Sequence, residues 1–577
     1  MRLQTRLFVL LLVATLVPAA LRADDPAWIV RGEAGIVASD SPEASQCGAE
    51  ILRAGGNAFD AAVATSFALA VARPQSTGLG GGGFMVAYIA AEKRFVALDF
   101  REMAPGGVSL EHYTELHNQN PQGPSASIYG GNAVGVPGQV AGLAEINKRF
   151  GSKPLAELTR PAIRLAEEGF VVDQSFLDAR DETFDALKKW PQLDFPLRSI
   201  KNLLTPGGQA LRAGERFKRP DLATTLQLIA GQGHRIFYDG PVAEAIIKAV
   251  NATGGVMLPV DLKKYHVIER KPLHVDFTPI GGNDAYEFVT MPPPSSGGIC
   301  IAETLRIMMA CGLRSDLDPK VYSEHVLVES MKHAFADRAR WLGDADFASV
   351  PVSGLISPKY CAELARRIKT KTRPFNEYGS LTAPPDDHGT SHFCVADRFG
   401  NVVAQTETVN GSFGSLIVVE PYGVILNNQM DDFTTVRGVS NLFGLTQSEA
   451  NVVAPGKRPL SSMSPTIIMK DGKPVLTLGA SGGPRIITST LQVALYVLDG
   501  KSLEEAMQAV RIHHQWQPDE VRFDQTPPSD LVHRLETCGH TLSDKRTTGV
   551  VQAIQFLPDG SRLGASDARK GGRPAKE

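Results

Sequence analysis

Gly389-Thr390-Ser391-His392-Phe393-Cys394-Val395-Ala396, the turn Asp397-Arg398-Phe399-Gly400-Asn401, and Val402-Val403-Ala404-Gln405-Thr406-Glu407-Thr408 form one continuous unit of this chain. Two runs rich in β-branched and apolar residues flank a turn with Gly and Asn, so residues 391–396 and 402–408 read as a hairpin. Directly upstream, residues 372–388 replace apolar periodicity with Pro, Gly, Asp and Thr, the composition of a linker or exposed loop. Thr390 therefore stands where a polar, cuttable segment meets a buried strand. A threonine hydroxyl inside a chain is a poor nucleophile unless a base sits beside it. Cleavage before Thr390 would supply that base as the residue's own α-amine. Such an amine titrates near ~7.7–8.0, and desolvation lowers it toward neutrality, where a general base works best. Taken alone, a threonine at a strand start is a structural residue far more often than a nucleophile.

Downstream of the hairpin, strands are expected at 422–426, 466–469 and 475–480, followed by helices at 486–498 and 502–511. The tail 569–577 reads as disordered. Upstream, 44–54 and 57–71 carry Ala and apolar residues at helical spacing, and Arg73-Pro74 stops the second of them. The run Gly78-Leu79-Gly80-Gly81-Gly82-Gly83 leads into a strand at 85–89, with another at 95–100 that ends at Arg101. Residues 153–312 read as mostly helical. They are interrupted at Met291-Pro292-Pro293-Pro294-Ser295-Ser296-Gly297-Gly298 by a rigid turn before a helix at 299–311, and helices resume over 321–340 and 358–368. Strands grouped apart from helices argue for a layered α+β fold.

The whole chain has 577 residues, 43% hydrophobic and 21% charged, with a net charge of -3. That composition buries a sizeable core, excludes dominant disorder and offers no basic field to hold nucleic acid. Arg2 and Arg6 precede an apolar run at 7–17 and small residues up to Ala23, the pattern of a secretory signal peptide over 1–23. The run falls short of the ~20 apolar residues of a membrane span. The expectation is an exported protein, periplasmic or secreted, without a stable membrane anchor. Export permits disulfides, but Cys47, Cys300, Cys311, Cys361, Cys394 and Cys538 are scattered and none has C-x-x-C spacing. Cys300 and Cys394 read as small buried hydrophobes.

Three eye-catching motifs have plain readings. The glycines at 78–83 lack the Gly-Lys-Ser/Thr ending of a phosphate loop, so a tight turn or close backbone approach is the better account. His513-His514 are adjacent and point in different directions, and no H-E-x-x-H occurs, so no metal is assigned. Ser295-Ser296-Gly297-Gly298 lacks the G-x-S-x-G frame.

Longer stretches carry more. Arg73-Pro74-Gln75-Ser76-Thr77-Gly78, Asp99-Phe100-Arg101-Glu102-Met103-Ala104-Pro105 and Met291 to Gly298 occur in order, followed by Leu426-Asn427-Asn428-Gln429-Met430-Asp431-Asp432-Phe433. Lys457-Arg458-Pro459-Leu460-Ser461-Ser462-Met463-Ser464-Pro465-Thr466, Gly482-Gly483-Pro484-Arg485-Ile486-Ile487 and His513-His514-Gln515-Trp516 complete the set. On these stretches the chain from Gly35 to about Arg569 resembles the bacterial γ-glutamyltranspeptidase (glutathione hydrolase) family, within the N-terminal-nucleophile hydrolases.

The resemblance implies a four-layer αββα sandwich built jointly by two autoproteolytic fragments, a large subunit 24–389 and a small subunit 390–577. It implies cleavage between Gly389 and Thr390, with Thr390 as nucleophile, Thr408 bonded to its hydroxyl, and the Gly482 and Gly483 amides as oxyanion hole. Arg101, Ser461 and Ser462 match the side that receives an α-carboxylate, and Asp432, Asn410 and Gln429 the side that receives an α-ammonium. Thr408 and Asn410 lie two apart, so on an extended strand they share a face. Read without the family, Arg101 is a cap after a strand and Asn427-Asn428 a turn.

The implied activity is γ-glutamyl transfer from glutathione through a γ-glutamyl-Thr390 ester to water or to acceptor amino acids or peptides, with no cofactor. A glutaryl side-chain acylase of β-lactams, with the same fold, is the alternative, and an inactive exported binder of γ-glutamyl peptides a third reading. Departures from the family are Gly389 and Ser391 beside the nucleophile, Phe443 in the lid-like segment 436–445 where tyrosine is common, and Pro484 where serine is common. The divergent end, 568–577, is expected to carry no chemistry.

Overall fold

The computed structural model describes residues 26–280, 282–312, 323–378, 390–439, 441–442, 445, 448–546 and 549–577. The segment 1–23, Gly389 and Phe443 lie outside the described residues. Two seven-stranded antiparallel sheets pack face to face. One runs in the order Ala575–Lys576, Ile36–Ser39, Ser391–Ala396, Val402–Thr408, Gly82–Ile89, Arg94–Phe100, Ile268–Arg270. The other runs Ile29–Gly32, Arg562–Ser566, Val550–Phe556, Lys473–Ser481, Thr466–Lys470, Tyr286–Thr290, Leu273–Phe277. Each sheet interleaves strands from before residue 379 and after residue 389, so neither could be completed by one part of the chain alone.

Helices cover both outer faces. The helix Ala58–Ala72 is buried at every residue, which its nearly all-apolar sequence requires, and Asn57 with Asp60 closes its start as a capping box. It packs Val63 and Phe67 into the same core as Phe393, Val395 and Val403 of the first sheet. Gly297–Gly312, Ser323–Trp341 and Arg485–Leu498 cover the second sheet. The alternate residues Cys394 and Ala396 face the other way and pack with Ile36, Ala38 and Ile554 between the sheets. The chain is thus an αββα sandwich, and the hairpin falls where expected, pairing Ser391 with Glu407 through Ala396 with Val402. Its turn is held by Asp397 Oδ1, which accepts from the amides of Phe399 and Asn401, both at 2.9 Å, with Gly400 at φ 86°.

Three expectations fail. Within the supposedly helical 153–312, residues Ile268–Arg270, Leu273–Phe277 and Tyr286–Thr290 are sheet strands. Leu273-His274-Val275-Asp276-Phe277 alternates buried and exposed residues, the mark of a half-covered strand, which long helical neighbours obscure. The helix expected over 502–511 stops at Gln508, and Ile512–His513 turns into a short strand. The tail is ordered: Ala568–Lys570 forms a 3-10 turn, Ala575 pairs with Val37 and Lys576 with Ile36, and the Glu577 amide donates to Gly35 O at 2.9 Å. Gly571-Gly572-Arg573-Pro574 has the composition of a disordered end, but the open edge of the first sheet supplies the missing partners.

Candidate active site

Period-2 alternation fixes where Thr390 points. Residues 392 and 394 face the second sheet: the His392 ring stands so close to Gly479 that a Cβ there would lie 2.3 Å from it, and Cys394 Sγ contacts Gln552 O. Thr390 shares their parity and sits one residue before the ladder, at the mouth between the sheets, 4% exposed. Its Oγ1 lies 3.4 Å from Thr408 Oγ1. Thr408 Oγ1 accepts from the Asn410 amide at 2.8 Å. Asn410 is not on an extended strand as expected. The strand ends at Thr408, and Asn410 turns out of it at φ 79°, a conformation that Asn tolerates. Both residues still line the pocket. The upstream glycines make this approach possible, since a Cβ on Gly81 would lie 2.1 Å from Thr408 O and one on Gly80 2.1 Å from Ile425 O.

Gly482 and Gly483 lie between the strand Lys473–Ser481 and the helix Arg485–Leu498, at φ 118° and 51°. Their carbonyls accept from the Arg485 and Ile486 amides at 3.1 and 3.0 Å, while neither of their own N–H groups has a backbone acceptor among the described residues. Two such amides beside a helix N-terminus suit a developing oxyanion. Gly483 and Thr390 line one pocket with Arg101, Asp432, Ser461 and Ser462.

The far end of that pocket is charged and dry. The Arg101 guanidinium is 1% exposed and forms an ion pair with Asp432. Its other nitrogens meet Pro459 O at 3.3 Å and Glu102 at 3.7 Å. Asp432 also accepts from Gln429 Nε2 at 2.6 Å and Asn441 Nδ2 at 3.2 Å. Burial raises the Asp432 pKa, against the pull of Arg101, Gln429 and Arg338. Gln429 Oε1 is buried with no partner, a spare acceptor. Asn410 Nδ2 donates to Asn428 O at 3.0 Å. A guanidinium touching a carboxylate is the complement of an α-amino acid zwitterion, whose own carboxylate and ammonium sit on one carbon. Glu102, beside Arg101, is lifted by burial to about 7, against the pull of Arg101.

Every candidate residue within the described chain except Gly482 lines this one pocket, and Gly482 adjoins it. Sequence reading missed Arg338, which also lines it. Arg338 Nε donates to Ser296 Oγ at 3.0 Å, and Ser296 Oγ donates to Ser461 O at 2.6 Å, so it braces the serine pair. In Ala336-Asp337-Arg338-Ala339-Arg340 it looks like any helical surface arginine, and no local signal separates it from Arg340. Leu445, Leu460, Met463 and Ile486 form the apolar wall. Leu445 and Asn441 belong to the lid-like segment, and Asn441 ties that segment to Asp432.

Other clusters resolve into internal contacts. His513 bonds Thr488 and Gln515, both at 2.9 Å, while His514 meets Asp519 at 3.3 Å, so the two rings do not converge. His325, Glu329 and His540 do converge. His325 Nδ1 and His540 Nε2 are 2.7 Å apart, however, and the Lys332 ammonium lies 3.9 Å from Glu329, so a protein cation already sits where a metal's charge would go. All six cysteines are buried and outside any disulfide, and burial pushes Cys47 up to about 12.

Residues 44–576 match the family described as gamma-glutamyltranspeptidase. The chain is 40% identical over 545 residues to the glutathione hydrolase proenzyme of Escherichia coli (strain K12), covering 94% of this chain and 91% of that one. It is 40% identical over 565 residues to the glutathione hydrolase proenzyme of Pseudomonas aeruginosa, covering 96% of each. Among solved structures it is similar to a cephalosporin acylase from Bacillus halodurans at a TM-score of 0.82 and 27% identity, covering 97% of this chain and 99% of that one. No helix among the described residues is long and apolar enough to cross a membrane.

Proposed function

The chain belongs to the γ-glutamyltranspeptidase family of N-terminal-nucleophile enzymes, and on that premise we propose that it is an autoprocessed γ-glutamyltransferase and glutathione hydrolase. The observation that carries the substrate is the Arg101–Asp432 pair, buried in the pocket that Thr390 and Gly483 also line. Arg101, with Ser461 and Ser462, receives the α-carboxylate of a γ-glutamyl group. Asp432, with Gln429 Oε1 and Asn410, receives its α-ammonium. The γ-amide then lies toward Thr390.

Maturation begins when Thr390 Oγ1 attacks the Gly389 carbonyl. The peptide C–N bond gives way to an ester, which frees the α-amine of Thr390, and water then hydrolyses the ester to restore the Thr390 hydroxyl and release the 24–389 fragment with a Gly389 carboxylate. In turnover that amine takes the hydroxyl proton as Oγ1 attacks the γ-carbonyl, with Thr408 donating to Oγ1. The oxyanion rests on the Gly482 and Gly483 amides, and the proton passes to the leaving amine, which for glutathione is that of cysteinylglycine. Water or the amine of an acceptor amino acid or peptide then takes the acyl group. No step needs a cofactor. Residues 1–23 act as an export signal, placing the enzyme in the periplasm or outside the cell.

The likeness to a cephalosporin acylase keeps a glutaryl acylase in view as a second reading. A glutaryl group lacks the amine, so it would leave Asp432 and Gln429 Oε1 without a ligand partner. The test is turnover of glutathione with and without an acceptor dipeptide, products identified by mass. Cysteinylglycine with glutamate, and a γ-glutamyl tripeptide when the dipeptide is present, is the expected result. Intact glutathione beside a hydrolysed glutaryl amide would sink the proposal in favour of the acylase.

A further inference from the structure

Lys570 reaches the nucleophile from the far end of the chain. Its ammonium lies 2.8 Å from the carbonyl oxygen of Thr390, 2.8 Å from Asp40 Oδ2 and 3.3 Å from Ser76 Oγ. Three acceptors match its three hydrogens. The backbone that carries it is pinned on both sides. Asp567 accepts from the Arg569 amide at 3.1 Å, capping the turn Ala568–Lys570, and the Arg569 guanidinium bonds Asp567 at 3.0 Å and Asp524 at 2.9 Å. Arg73 Nη2 donates to the carbonyl of Lys570 itself at 3.1 Å. Asp40, fully buried, also accepts from Ser391 Oγ at 3.1 Å. One ion pair, buried at Asp40 and partly exposed at Lys570, therefore holds residues 390 and 391 from the side opposite the hairpin partner.

We infer that Lys570 is a positioning residue for the chemistry at Thr390: by donating to the carbonyl of residue 390 it fixes how that residue presents its hydroxyl and its freed α-amine. This rests on the reading that the chain is cut before Thr390. Residue 390 stands one position outside the ladder, whose first pair is Ser391 with Glu407. Cutting the preceding peptide bond removes the covalent hold on its N-terminal side, and the residue gains torsional freedom that would spoil alignment with the oxyanion amides. A charge-assisted hydrogen bond to its carbonyl withholds that freedom. Lys570 is not among the residues that line the pocket with Arg101 and Asp432, so it bears on turnover and not on ligand affinity.

The test compares full-length wild type, Lys570→Met and Lys570→Arg on a γ-glutamyl anilide, with intact mass and thermal melting recorded for each. In matured Lys570→Met, kcat should fall about 10- to 100-fold while KM stays within about twofold. Lys570→Arg, which can donate to the same carbonyl, should recover kcat to within about threefold of wild type. An unchanged kcat in matured Lys570→Met, or a change confined to KM, overturns the inference. If Lys570→Met does not fold, Lys570→Gln takes its place against Lys570→Arg: slow Gln with near-normal Arg supports positioning, and equal rates in the two overturn it. An uncut wild type would end the underlying reading, whereas a cut wild type with indifferent Lys570 variants ends only this inference.

Discussion

The two ends of the pocket are built on opposite principles. The reactive end consists of the Thr390 and Thr408 hydroxyls and the amides of Gly482 and Gly483, set by strand register and two left-handed glycines. The recognition end consists of buried charge, Arg101 against Asp432 with Glu102 and Arg338 close by. Hydroxyls and amides are cheap to bury once bonded, and the backbone positions them. Buried charges are costly unless paired, so Arg101 and Asp432 at the recognition end brace each other. A change at the reactive end should therefore remove one function cleanly, whereas a change at the charged end should disturb its neighbours as well. The largest effect expected is at the reactive end. Thr390→Ala should remain one piece on a denaturing gel and lose at least about 10⁴-fold in turnover, because in the proposed mechanism both maturation and acyl transfer use the same Oγ1. A Thr390→Ala protein that still appears as two pieces would assign the cut to another agent.

This contrast also marks what was legible in the sequence. The hairpin around Thr390 shows in the sequence because short runs rich in apolar and β-branched residues on each side of an Asp-Arg-Phe-Gly-Asn turn encode it locally. Arg101 and Asp432 are far apart in sequence, and neither spacing nor composition brings them together; a family resemblance was needed to name both. Even then the direct ion pair between them was not foreseen, since the resemblance assigns each a separate ligand group. Arg338 and Lys570 were missed for one reason: each acts through a contact made by the fold, and their local sequences are those of a surface helix and a loose tail. The strands Leu273–Phe277 and Tyr286–Thr290 were missed because short alternating runs lose to the longer helices around them.

At the charged end the sharpest break is Asp432→Asn. Asp432 holds Arg101, and under the proposed function it also faces the substrate ammonium, so absolute rates on any substrate will suffer from the loosened guanidinium. The ratio of kcat/KM for γ-glutamyl over glutaryl anilides removes that shared loss, since the two differ only at the amine. Wild type should prefer the γ-glutamyl anilide, and the ratio should fall about 100-fold in Asp432→Asn. A constant ratio would mean that Asp432 serves Arg101 and not the amine.

Back at the reactive end, Thr408→Val tests whether the second hydroxyl is chemical or structural. Valine keeps the shape and the strand but cannot donate to Thr390 Oγ1 or accept from the Asn410 amide. One neutral hydrogen bond is worth about 0.5–1.5 kcal/mol, so kcat should fall about 2- to 13-fold, with slower maturation. A loss confined to KM would show that the Thr408 hydroxyl shapes the pocket and takes no part in activating the nucleophile.

The smallest effect concerns stability, and it lies at the charged end. Both Glu102 oxygens are buried with no hydrogen-bond partner beyond the residue's own amide, and the nearest cation, Arg101 Nη1, stands 3.7 Å from one of them. Burial wins over that attraction and raises the carboxyl from its ordinary 4.5 to about 7. Between those values the folded protein holds a proton that the unfolded chain has released. The stability linked to Glu102 is therefore fully present below about pH 4.5 and is lost as pH rises through about 7. Glu102→Gln, neutral throughout, should match wild type in melting temperature near pH 5 and exceed it by about 1–2 °C near pH 8, where wild type must bury the anion. A variant that melts lower than wild type near pH 8 would reverse the balance. The ion pair with Arg101 would then outweigh desolvation, and the recognition end would contain two carboxylates sharing one guanidinium instead of one ion pair beside a protonated acid.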